Sequence, residues 1–211
     1  MALNIVVCIK QIIDPEIPAS QFKLDKATKR QLREGHNLVI SAYDHNALEV
    51  ALQLKEKAGG KITALSLGEP GAASALKSAL GMGADEAVLL ADPAFLECDQ
   101  FGVAHVLAAA IKKLGACDLV LCGCESGDWG DKMVGPLLAE ELGAACVTFA
   151  TRIEAKDGAL VLRRVVDQIE SVKGRILGVL LNRADPRRDG YYYYYRTYQR
   201  YYGTPDGSAK R

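Results

Sequence analysis

The feature that most constrains this chain is an alternation that runs through its first 150 residues. Short apolar runs, rich in β-branched residues, take turns with longer stretches of helical periodicity. Residues 4–9 (NIVVCI), 62–67, 87–90, 119–122 and 146–150 read as five buried strands. Between them, 44–57, 70–80, 99–114 and 131–142 read as helices. Each is followed by glycine at Gly59, Gly81, Gly115 or Gly143, the residue favoured just past a helix end. Asp44 is placed to cap the first helix. Apolar strands joined by helices build a parallel sheet covered on both faces, because parallel neighbours need crossover connections. The expected fold is therefore α/β, a doubly wound Rossmann-like parallel sheet. The order of its strands in space is not legible.

Beyond residue 150 the pattern changes. Residues 151–154 and 160–166 are strand-like and flank Lys156-Asp157-Gly158, a hairpin signal. Residues 175–181 (RILGVLL) read as one more buried strand candidate. From Pro186 the chain is basic and of low complexity, with eight of its nine tyrosines between Tyr191 and Tyr202. The expectation is one nucleotide-binding domain over 1–185, with a C-terminal β-hairpin, and a disordered Tyr-rich tail over 186–211.

Charge and composition narrow the function. Lys plus Arg equals Asp plus Glu at 26 each, but residues 183–211 carry seven basic and three acidic groups. An acidic body with a basic end does not suit a nucleic-acid-binding domain. No apolar run approaches the roughly 18 residues of a membrane span, and the N-terminus lacks the pattern of a secretory signal, so a cytoplasmic protein is expected. The six cysteines read as small core residues. Cys122-x-Cys124 lacks the spacing of a zinc pair. His105 lies in an apolar helix and reads as a packed or surface histidine. No nucleophile–base pair or carboxylate pair can be assembled, which favours a binding or carrier protein over a hydrolase.

Ligands of open α/β sheets sit at the carboxyl ends of strands. Four segments qualify: 8–10, 41–44, 66–68 and the loop after the fourth strand, GCESGDWGDK (123–132). That loop holds three glycines and leads into a helix. Such a turn offers backbone N–H groups and the positive end of a helix dipole to a phosphate. The same groups also suit a helix cap built on Asp128 or Asp131. Neither GxxxxGK[ST] nor GxGxxG is present.

An ordered series of segments resembles the β subunit of electron transfer flavoproteins. It comprises IVVCIKQIID (5–14), DHNALEVALQLKE (44–56), ITALSLGEP with ALGMGADEAVLL (62–90), and DLVLCGCESGDWGDKMVGPLLAEELG (118–143). The series covers about residues 3–172. The resemblance implies a subunit that holds AMP, or a second FAD in electron-bifurcating members. It implies a heterodimer with a flavin-bearing α subunit, fed by acyl-CoA or other dehydrogenases, and no bond-making residue in this chain. It places the nucleotide against Cys8, Ser41, Ala42, Tyr43, Asp44 and Leu67. The rest of the implied site is the loop, at Gly123, Cys124, Glu125, Ser126 and Asp128, then Asp131, Lys132, Met133 and Val134. The N–H groups of 131–134 would meet the phosphate.

Departures from that family accompany the resemblance. The family commonly has Asn-Pro where Ser41-Ala42 stands here, and small or amide residues where Lys132-Met133 stands. The family usually continues for tens of residues past this length, with an arm around the α subunit. Here residues 174–203 instead resemble the Tyr cluster that ends bacterial polysaccharide-synthesis tyrosine autokinases. Two other readings remain at this level. One is an interaction protein regulated by phosphorylation of that cluster. The other is a stand-alone adenine-nucleotide-binding α/β protein.

Overall fold

The structure is a computed structural model that describes residues 2–27, 29–150, 152–156, 159–163 and 176–181. Six parallel strands form the central sheet. They are β1 (Leu3–Cys8), β4 (Gly60–Leu67), β5 (Glu86–Leu90), β6 (Leu119–Gly123), β7 (Ala145–Ala150) and β10 (Ile176–Leu181). Their spatial order is β5-β4-β1-β6-β10-β7. The doubly wound expectation is met, because the chain runs outward from β1 to β5, then returns to start again on the other side of β1 with β6. β10 fills the gap that the chain leaves between β6 and β7, pairing in parallel with both.

The period of two along each strand divides the core between the faces. Ile5, Val7, Leu119 and Leu121 pack on α1 (Ala42–Ala58) and α2 (Ala73–Met82) through Leu48, Ala51 and Leu76. The alternate residues Val6, Cys8, Val120 and Cys122 pack on α3 (Gln100–Leu114) and α4 (Val134–Leu142) through Leu107, Ile111 and Leu138. Ala47, Leu48, Ala51 and Leu54 lie on one face of α1 and are buried, the i, i+1, i+4, i+7 spacing of a core-facing stripe.

The hairpin forms as expected, from antiparallel β8 (Arg152–Lys156) and β9 (Ala159–Arg163), with Lys156 opposite Ala159. Ile153 of β8 is 9% exposed and belongs to the α1 side of the core. Ile153→Val should therefore lower stability by about 1 kcal/mol, measured by urea denaturation. The turn residues of this hairpin, the tail from 186 and the tyrosine cluster lie outside the described residues.

A second ribbon has no counterpart in the reading of the sequence. β2 (Gln11–Ile13) pairs antiparallel with β3 (Leu38–Ile40). Between its strands, Arg30, Gln31 and Arg33 reach the cleft at the carboxyl ends of β1 and β4. Gln11 anchors the ribbon, donating to Gly71 O at 3.0 Å and Ser74 Oγ at 2.7 Å and accepting from Arg33 Nη2 at 2.6 Å. Cys146 is exposed on β7, so the reading of the cysteines as core residues is corrected there.

Candidate functional site

The switch in winding direction falls between β1 and β6, so their carboxyl ends diverge into a crevice. Asp44, in the first turn of α1, closes the floor of that crevice. Its Oδ2 accepts from Lys10 N at 2.8 Å and its Oδ1 from Gly123 N at 3.0 Å. One carboxyl thus ties together the two backbone segments that leave the sheet. Asp44 is 7% exposed, and burial pushes its pKa up to about 7 against the two N–H donors. It does not cap α1, contrary to the expectation. The capping position belongs to Ser41, which has no capping bond of its own. Ser41 Oγ instead accepts from Gly127 N at 3.2 Å and so buttresses the loop.

The close approach of α1 explains Gly123. A Cβ there would stand 2.4 Å from Asp44 Oδ1 and 2.8 Å from Tyr43 Cβ, so only glycine fits. Past it, the loop folds on itself around Ser126. Gly130 N donates to Ser126 O at 2.9 Å, Ser126 N to Asp131 O at 3.0 Å, and Asp131 N to Ser126 Oγ at 3.2 Å. Gly130 takes φ +67°, the left-handed conformation that closes the turn.

The helix expected from Asp131 begins three residues later, at Val134. Neither Asp128 nor Asp131 caps it. Asp128 Oδ1 accepts from Trp129 N and from Lys10 Nζ, both at 2.8 Å. Asp131 Oδ1 accepts from Gln100 Nε2 at 2.8 Å, and its Oδ2 lies 4.0 Å from Lys10 Nζ. Met133 N donates to Gln100 Oε1 at 2.9 Å. Two of the four N–H groups expected to face a phosphate, those of Asp131 and Met133, thus have partners within the chain. Lys132 pairs with Glu125 at 3.1 Å.

These parts surround a cleft of about 920 Å³. Eleven of the sequence-derived site residues line it: Cys8, Asp44, Leu67, Gly123, Glu125, Ser126, Asp128, Asp131, Lys132, Met133 and Val134. Ser41, Ala42, Tyr43 and Cys124 do not. Ser41 stands behind the loop and holds Gly127 N, and Tyr43 Cβ lies against Gly123. Cys124 is buried among the residues between the sheet and α3. The far wall comes from segments that sequence reasoning missed, including Phe95, Gln100 and Phe101, with Arg30 and Arg33 from between β2 and β3. Nothing local marks those residues as site residues; tertiary contact alone brings them there.

The thiols of Cys8, in the cleft lining, and of Cys124, buried behind it, are held protonated at neutral pH. The hydrogen bond of Cys8 to the Cys122 thiol, then burial, holds Cys8 well above the usual range, and burial pushes Cys124 up to about 11. They serve as small apolar groups rather than as nucleophiles. His105 lies on the surface with Nδ1 3.2 Å from Glu141 Oε2. Among the described residues no cluster of three or more metal-ligating side chains occurs, and no helix is long and apolar enough to cross a membrane.

Fold and cleft together define a Rossmann-like α/β protein with a ligand-sized crevice at its switch point. Comparison with known proteins takes the assignment further. The electron transfer flavoprotein domain matches residues 30–174. The electron transfer flavoprotein subunit beta of Thermoanaerobacterium thermosaccharolyticum is 39% identical over 178 residues, 83% of this chain and 66% of that protein. That of Clostridium acetobutylicum is 42% identical over 162 residues, 77% of this chain and 61% of that protein. The caffeyl-CoA reductase-Etf complex subunit CarD of Acetobacterium woodii is 37% identical over 173 residues, 81% and 64%. The chain belongs to the electron transfer flavoprotein family, on the side of its beta subunits. It spans less than two thirds of the length of each of these relatives. The tyrosine cluster falls outside the matched domain.

Proposed function

We propose that this chain is the nucleotide-holding subunit of an electron transfer flavoprotein. On this reading it binds AMP or FAD in the cleft and passes electrons together with a flavin-bearing α subunit, with acyl-CoA or other dehydrogenases as donors. The observation that carries the proposal is the placement of the 123–134 loop. In a chain of this family, it walls a cleft at the switch point and leads into the N-terminus of α4.

The residues present fit such a ligand. About 920 Å³ accommodates a mononucleotide or a dinucleotide. The floor beside Cys8 and Leu67 is apolar and suits a base. Lys10 and the first turn of α4 suit a phosphate. The cleft is not a cationic funnel, because Lys10, Lys132, Arg30 and Arg33 are each matched by a carboxylate. That balance favours the low charge of a monophosphate or a pyrophosphate diester over a triphosphate, and so counts against a stand-alone ATP-binding protein. A bound flavin would supply the electron-accepting chemistry; AMP would be structural. This chain's own residues bind, orient and shield the ligand. Lys10 offsets the charge of Asp128, at 2.8 Å, and of Asp131, at 4.0 Å, and Asp44 keeps the two strand ends together.

The test is to purify the full chain, denature it and identify the released small molecule by mass spectrometry, then mix the chain with an α subunit. AMP or FAD in the released fraction, and a one-to-one complex, are expected. A chain that neither retains nor rebinds an adenine nucleotide and forms no complex would overturn the reading.

A further inference from the structure

One side chain outside the loop controls the loop's last turn. α4 begins without a capping side chain of its own, since Met133 occupies the capping position and makes no such bond. An acceptor for the N–H of Met133 itself, just ahead of the helix, comes from another helix. Gln100, the first residue of α3, extends its amide across the cleft wall. Oε1 accepts from Met133 N at 2.9 Å, and Nε2 donates to Asp131 Oδ1 at 2.8 Å. α3 needs nothing from this side chain, because its own cap is Asp99, which accepts from Gly102 N at 2.8 Å. The Gln100 amide therefore spans residues 131 and 133, either side of Lys132, at the entrance to α4.

We propose that Gln100 is a positioning residue for phosphate recognition, acting through the loop and not as its own ligand group. The inference rests on the adenine-nucleotide reading of the cleft. Its physical basis is twofold. The amide fixes the turn that aims the N-terminus of α4, where an anion is favoured. It also gives the Asp131 carboxylate a donor, which lessens the repulsion that carboxylate would exert on a phosphate. Both roles need an amide. Alanine removes both, and glutamate keeps the acceptor for Met133 N but sets a carboxylate against Asp131.

The experiment measures binding of AMP, the fragment common to both candidate cofactors, and of adenosine, which lacks the phosphate. It uses the full chain stripped of ligand and isothermal titration calorimetry at neutral pH. Urea midpoints confirm that each variant is folded. Gln100→Ala should weaken AMP about tenfold and leave adenosine within twofold. Gln100→Glu should weaken AMP further. Combining Gln100→Glu with Asp131→Asn exchanges the two groups and should restore AMP binding to within about threefold of the unmodified chain. A general loosening of the protein would not produce that rescue. The proposal falls if Gln100→Ala binds AMP as the unmodified chain does, if adenosine weakens equally, or if the exchange fails to rescue. If the unmodified chain binds no AMP, the reading of the cleft falls and takes this inference with it.

Discussion

Replacing Gly123 by alanine is expected to lower stability by about 3 kcal/mol and to weaken adenine-nucleotide binding on the order of 100-fold. The added methyl would stand 2.4 Å from Asp44 Oδ1, 2.8 Å from Tyr43 Cβ and 3.0 Å from Asp44 N. None of these atoms is the loose end of a flexible side chain. Asp44 is pinned by its bonds to Lys10 N and Gly123 N, and Tyr43 Cβ rides on α1. Either α1 or the loop must move, and both position the cleft. Gly130→Ala is the control. A methyl there meets open space, and only its φ of +67° penalises it, at about 1 kcal/mol. Urea midpoints for the two variants test the comparison. Equal losses would mean that the close approach at Gly123 carries no weight.

The second large effect is expected at Asp44. Asp44→Ala leaves the N–H groups of Lys10 and Gly123 without their acceptor in a buried place, at a cost of about 3 kcal/mol. The same carboxyl should make stability depend on pH. Its folded-state pKa of about 7 lies above its ordinary value of 3.8, so the folded protein binds a proton that the unfolded chain has released. The stabilisation is fully present below 3.8 and is lost as pH rises through 7. Over that window the unmodified chain should lose roughly 2–4 kcal/mol relative to Asp44→Asn, whose amide does not titrate. Asp85, its pKa lowered chiefly by the hydrogen bond from Lys55, titrates below that window and leaves the comparison intact. Urea denaturation of both proteins at pH 5, 6, 7 and 8 measures it. Parallel stability curves would show that Asp44 is ionised throughout.

Much of this architecture is legible in the sequence, for a physical reason. A strand buried on both faces must be apolar throughout, as at 119–122, and a helix covering it must carry a stripe, as in α1. Those patterns are local. The strand order is not, because β10 enters between β6 and β7 only after a hairpin has been made. The β2–β3 ribbon escapes because strands of three residues show no period. The loop at 123–132 is visible through its glycines, yet its cap is not. Asp44, Asp128 and Asp131 all carry the right chemistry for capping, and tertiary contacts give each another task. Gln100 is the extreme case. An amide at the start of a helix has no local signature, and its role appears only when α3 and α4 lie side by side.

The most direct test of the central claim is amide hydrogen exchange of the full chain with and without saturating AMP or FAD. The account predicts that the nucleotide slows exchange at residues 8–10 and 123–135, at the carboxyl ends of β1 and β6, and leaves the β8–β9 hairpin unchanged. Protection confined to other parts of the chain, or none at saturation, would contradict it.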